Sequence, residues 1–366
     1  MDGLKVQGVM EGRLVVRPAE AYHRTTRRRF LVLGMGLGVL GAVSVLALAI
    51  GRYPLSVWEV LRALFHAGEG TAGVVIWHLR LPRIVAALVG GAALGLSGML
   101  AQTLLRNPLA SPFTLGVSQG AAFGAALAIV VFPRLVGASG EGGGWQSVFQ
   151  IGSVSTAALI GAMVGTVVIL GLARFRKLTP TAIVLAGVAL ASLFMSGTIL
   201  IQYFASEEEL AQVVYWTFGD VGRPTWGQVA WIGVAWAVIF GYCLVQRWTF
   251  NVLDGGDEMA LALGIRVGRV RMVGMFFAAL GAALVTAFCG IIGYLGLMGP
   301  HIGRLIGGGD HRFLIPFSSL AGAFLLVTAD TVGRVLVGSG ALPVGVLTSF
   351  LGAPLFLFLL LRSRMS

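Results

Sequence analysis

The sequence predicts an all-α membrane protein with about ten transmembrane helices, and three observations carry that prediction. Only 11% of its 366 residues are charged, while 57% are hydrophobic. Water-soluble domains carry roughly 25% charged residues, so an apolar exterior is stable here only in lipid. The apolar residues gather into blocks of about 20, the length that crosses a bilayer at ~1.5 Å per residue. The 26 Lys and Arg fall between those blocks or close to their ends, 19 on one side and seven on the other. That asymmetry is the positive-inside signal, and it places the N-terminus in the cytoplasm.

Taken in order, the blocks are 30–50, 81–104, 113–132, 148–172, 181–204, 226–246, 271–290, 293–306, 313–333 and 343–361. The first follows Arg27, Arg28 and Arg29; it is longer than a signal-peptide core and reads as a retained helix. Residues 1–29 are polar and read as a cytoplasmic tail, with 363–366 as a second short tail after the membrane domain of 30–362. The eighth block is short for a crossing. An even count brings the C-terminus back to the cytoplasm. Trp58 and Trp77 in the outside segment 51–78 suit the membrane interface, and Gly140, Gly142, Gly143 and Gly144 mark a flexible outside loop. The inside loop 247–270 carries Asp254, Asp257, Glu258 and Arg266 around Met259–Leu263. It reads as a short amphipathic helix, either packed on a partner or simply solvated.

Several functions are disfavoured. The net charge of +11 comes from residues that punctuate apolar blocks rather than forming one basic face, so no nucleic-acid partner is expected. The two lysines, Lys5 and Lys177, lie outside any GxxxxGK[ST] pattern, so the chain has no P-loop and any ATPase must be a separate subunit. Few titratable residues lie within spans; Asp330 stands four residues before Arg334, where a helix pairs them. No cofactor or metal is expected: the histidines are scattered, and Cys243 and Cys289 read as packing residues. An intramembrane enzyme lacks a base to accompany its Ser and Thr.

Three stretches go beyond composition. Residues 79–83 read LRLPR, followed by a Gly/Ala helix, RNPLA at 106–110 and LGVS at 115–118; 293–304 read GYLGLMGPHIGR before DHR at 310–312; and 342–354 read LPVGVLTSFLGAP. In this order they resemble the FecCD-type permeases of ATP-binding cassette (ABC) importers, the family of vitamin B12, haem and iron-siderophore permeases, over about residues 50–362. The resemblance implies the type II importer architecture: a homodimer of ten-helix subunits in the bacterial inner membrane, two cytoplasmic ABC ATPase subunits and a periplasmic substrate-binding protein. By motif, Arg80, Arg83 and Arg334 match positions facing the binding protein; lipid-headgroup snorkelling is the alternative. Leu253, Gly256, Asp257, Glu258, Leu263 and Gly264 match the loop that couples to the ATPase, although Leu-Asp-Gly-Gly at 253–256 departs from the family wording. Asn107, Leu109, Thr179, Pro180 and Thr181 match cytoplasmic gates, or plain interhelical turns. The implied cargo is a large metal chelate moved by alternating access, with haem slightly favoured by Thr328–Thr331 and Leu347–Ser349. An ATP-independent secondary transporter or channel is the alternative.

Overall fold

A computed structural model describes residues 18–51, 53–65, 70–136, 144–176, 179–336 and 342–363. The helices in chain order are α1 (Pro18–Ala49), α2 (Val57–Phe65), α3 (Gly70–Val74), α4 (Leu81–Leu105), α5 (Val117–Ala126), α6 (Phe132–Val136), α7 (Gly144–Arg176), α8 (Pro180–Tyr203), α9 (Glu207–Thr217), α10 (Trp226–Asp254), α11 (Asp257–Ala262), α12 (Val267–Cys289), α13 (Leu295–Gly307), α14 (His311–Leu336) and α15 (Val344–Ser363). Among the described residues, eight helices are long and apolar enough to cross a membrane. The 13-residue α13 and the α15 segment complete the ten blocks read from sequence.

α4 is the axis of the bundle. It is largely buried and packs against α10, α12, α13 and α14. Its Gly-rich face permits this: a Cβ on Gly98 would lie 1.8 Å from the Gly296 carbonyl oxygen, so only glycine lets α4 and α13 approach backbone to backbone. The second layer is α5 against α7 and α8. α1 stands at the periphery against α14, with Leu31, Met35 and Leu46 exposed as a lipid-facing helix requires.

Boundaries differ from the sequence reading where backbone chemistry overrides hydropathy. The residues from Gly70 to Leu105 form one continuous helix rather than a loop and a span beginning at 81. A π-helical stretch, Val75–Arg80, precedes Pro82, which has no N–H to continue the α ladder. Trp77 donates to the Ala63 carbonyl of α2 (2.9 Å), so it ties two segments together. The expected polar tail is corrected for its second half: helix begins at Pro18, a suitable first-turn residue. Of the Gly-rich loop, 137–143 lie outside the described residues, and α7 already begins at Gly144. α9 was not anticipated, although its N-terminal signature is legible: Ser206 and Glu209 form a reciprocal capping box. The loop 247–270 contracts to about a dozen residues, because α10 runs on to Asp254 and α12 starts at Val267.

Candidate functional site: two polar ends of the bundle

The motif residues gather at opposite ends of the helices. At the α9 end, two arginines pair with one buried carboxylate, and a third is taken up by backbone carbonyls beside them. Arg83 Nε donates to Asp330 Oδ1 at 2.8 Å, and Arg334 Nε donates to Asp330 Oδ2 at 3.1 Å. The Asp330 side chain is wholly buried, and Arg83 also reaches Asp220 at 3.2 Å. Arg334 continues to the carbonyls of Ala47 (3.0 Å) and Ile50 (2.9 Å). Arg80, only 7% exposed, donates to the carbonyls of Leu48 (2.6 Å), Ala49 (3.1 Å) and Tyr53. Apart from the Tyr53 carbonyl just beyond it, those oxygens lie at the end of α1, where carbonyls have no partner within the helix and the helix dipole favours a cation. Arg80 and Arg334 therefore cap α1, and Arg83, Asp330 and Arg334 lock α4 to α14. The pairing of Asp330 with Arg334 is as the spacing predicted; the capping of α1 by distant guanidiniums was not visible in sequence. Arg223 supplies a fourth cation, held by the carbonyls of Tyr215, Trp216 and Phe218, and burial lowers its pKa.

At the α11 end the arrangement is reversed. Gly256 adopts φ +117°, a conformation strained for any side chain, and turns the chain from α10 into α11. Asp257 accepts from Arg271 at 2.9 and 3.0 Å, and Arg271 Nε donates to the Leu104 carbonyl at 2.9 Å, so one guanidinium ties α11, α12 and the end of α4 together. Leu253 and Ala260 are buried beneath the loop. Met259, Leu261 and Leu263 are more than half exposed, with Glu258 and Gly264 exposed beside them. This apolar group lies on a loop helix between membrane segments, not on a span.

The proposed gate residues lie at this same end as two separate turns. Arg106 takes the left-handed conformation (φ 48°) that ends α4, Asn107 Oδ1 accepts from the Leu109 N–H at 2.9 Å, and Leu109 is 42% exposed. Thr179 caps α8 by accepting from the Ala182 N–H at 3.3 Å, with Pro180 in the first turn and Thr181 exposed. The 3₁₀ turn Pro112–Leu115 that follows Leu109 packs on α8, which places both turns on one sub-assembly. Among the described residues, no hydrogen bond joins Asn107 or Leu109 directly to Thr179–Thr181.

A cluster the sequence quoted without a role lies close by. The buried His311 ring bonds Thr103 Oγ1 (2.9 Å) and Asn251 Oδ1 (2.9 Å), joining α4, α10 and α14 just before the α11 turn. Burial opposes the charge on neighbouring Asp310, but hydrogen bonds from Arg312 and Asn251 outweigh it and bring its pKa down to about 2.

A bundle of apolar crossings around a buried glycine-faced axis, with motif residues gathered at its two ends, defines a polytopic membrane protein. The chain belongs to the FecCD transport family, which matches residues 39–362. It is 46% identical over 348 residues to a protein of Methanocaldococcus jannaschii assigned as an ABC transporter permease, covering 94% of this chain and 97% of that one. It is 36% identical over 342 residues to a vitamin B12 import system permease protein of Vibrio vulnificus (93% and 97% covered). It is 35% identical over 338 residues to a hemin transport system permease protein of Yersinia pestis (91% and 96%). A solved structure described as an inward-facing conformation of a metal-chelate type ABC transporter superposes with a TM-score of 0.77 at 30% identity, covering 91% of this chain and 99% of that chain.

Proposed function

We propose that this chain is the permease subunit of an ATP-driven importer that carries a large metal chelate from periplasm to cytoplasm by alternating access. Its α11 end faces the cytoplasm of a bacterial inner membrane, and it works as a homodimer with two ABC ATPase subunits and a periplasmic binding protein. Among known chelates, haem is slightly favoured over cobalamin and ferric siderophores. The observation that carries the reading is the exposed apolar group Met259, Leu261 and Leu263, held on a rigid loop helix in a chain with no P-loop. An apolar helical surface outside lipid is stabilised by burial against a partner protein.

In this reading α11 is the handle. Gly256 sets its direction, Leu253 anchors it from below, and the Asp257–Arg271–Leu104 link passes its displacement to α12 and α4 without slack. Glu258, Leu263 and Gly264 form part of its outer face. The turns at Asn107–Leu109 and Thr179–Thr181 close the pathway on the cytoplasmic side. The exposed apolar faces of α8 (Leu185, Leu193, Leu200) and α15 (Phe350, Leu351) contribute to dimer contact and pathway lining. Apolar, weakly binding walls suit a bulky cargo that must also be released.

At the opposite end Arg80, Arg83 and Arg334 provide the positive field that steers the binding protein. Long-range steering does not require a free guanidinium. Arg83, the most accessible of the three at the side chain, offers direct contact.

The test is reconstitution with the ATPase and binding protein. Chelate uptake that stops when the ATPase is inactivated supports the reading; uptake that continues unchanged replaces it with an ATP-independent carrier or channel.

A further inference from the structure

We propose that the groove between α1, α10 and α14 is a binding site for one anionic diacyl phospholipid, with its phosphate at Arg29 and Arg312 and an acyl chain in the slot beneath. The proposal depends only on the chain crossing a membrane, not on the cargo or the direction of transport.

The mouth of the groove is a ladder of cations and rings at the α11 end. Arg312 lies over the Trp248 ring at 4.9 Å and the Phe313 ring at 5.6 Å. Arg29 lies over the same Phe313 ring at 5.0 Å, and Phe30 packs edge-on to Phe313. Three helices therefore bring two guanidiniums onto one aromatic platform. Asp310 neutralises Arg312. Arg29 has no carboxylate partner among the described residues, and exposed Arg27 and Arg28 immediately precede it in the same turn. The mouth thus keeps a net positive charge, with donors suited to a phosphate. Trp248 is 55% exposed, as expected of an aromatic ring at the level of lipid headgroups.

Below the mouth lies a slot of about 400 Å³ whose walls include Leu33, Leu37, Leu40, Phe240, Pro316 and Ala323. Helical spacing places it directly under the ladder. Leu33, Leu37 and Leu40 follow Arg29 at four, eight and eleven residues; Pro316 and Ala323 follow Arg312 at four and eleven; Phe240 precedes Trp248 by eight. From Arg29 to Leu40 the helix rises ~16 Å, about half of the ~30 Å hydrocarbon core and hence one leaflet deep. The slot's polar groups are satisfied internally: Trp236 Nε1 donates to Ser319 Oγ (3.3 Å), which donates to the Ala92 carbonyl (3.4 Å). An apolar slot of one leaflet's depth, with unneutralised charge at its mouth, fits an acyl chain beneath an anionic headgroup. A partner helix, about 10 Å across, is too wide for a slot of this volume.

The experiment is native mass spectrometry of the purified full-length chain with phosphatidylglycerol and phosphatidylcholine of identical acyl chains. The wild type is expected to retain phosphatidylglycerol preferentially. Arg29→Gln is expected to lower that preference about fivefold, the effect of one basic residue near an anionic headgroup. Leu37→Trp, at a position 57% exposed and so tolerant of a larger side chain, is expected to fill the slot and remove the preference while keeping every arginine. Elution volume and circular dichroism verify that both variants are folded. Equal retention of the two lipids by the wild type overturns the proposal, as does an undiminished preference in either folded variant.

Discussion

At the α9 end, cations turn inward: Arg80, Arg83 and Arg334 bond helix-terminal carbonyls and a buried carboxylate. At the α11 end, apolar side chains turn outward: Met259, Leu261 and Leu263 stand in solvent while the charged Asp257 and Arg271 are used beneath them. The first end makes the fold rigid and offers a partner mainly a field. The second offers a partner a surface that gains free energy on burial. The difference teaches that motif residues of the same standing in sequence serve different physical purposes. A guanidinium near a membrane surface satisfies unpaired backbone before it is available to anything else, whereas a leucine on a loop helix has no internal use and, in the proposed reading, is left for docking.

The largest expected effect falls on the rigid end. Asp330→Ala leaves Arg83 and Arg334 without their shared buried carboxylate, and losing one partner of such a group costs about 3–5 kcal/mol. Thermal unfolding in detergent is expected to show this; an unchanged melting temperature would remove the lock between α4 and α14. Next is Leu261→Asp at the docking end. Because Leu261 is exposed, the melting temperature is expected to stay within the range of surface changes, while ATPase co-purification falls by about 2 kcal/mol or roughly 30-fold. If stability fell and association did not, the contrast between the ends would be wrong.

Arg80→Lys comes third. Lysine keeps the charge but cannot fork to three carbonyls, and a loss of about 1–3 kcal/mol in stability is expected. Equal stability would show that charge alone, not capping geometry, holds the end of α1. The smallest effect is at Asp310. Its folded pKa of about 2 lies below the ordinary carboxylate value near 4, so the stabilisation is complete above pH 4 and is lost as pH falls from 4 towards 2. Because the group is partly exposed, about 1 kcal/mol is expected after solvent screening. Wild type is expected to lose this margin over Asp310→Asn across that window in parallel melts; coincident curves would remove Asp310 from the account.

Much of this architecture was legible in the sequence. The crossings, the capping box at Ser206 and Glu209, the Asp330–Arg334 pair and the loop helix at 257–262 each depend on residues within a few positions of one another. So does lipid partitioning, which sums over one segment at a time. The start of the second crossing was misread because hydropathy does not register how a π turn carries a helix up to Pro82. The partners of Arg80 and Arg83 lie about 30 and 247 residues away, and the groove at Arg29 is assembled from three helices remote in sequence. No local pattern encodes such meetings. The sequence alone determined that the chain is a many-crossing membrane protein with polar machinery at both ends. Only the tertiary structure decided which of those polar groups are already engaged, because that depends on how closely α4 is allowed to approach its neighbours.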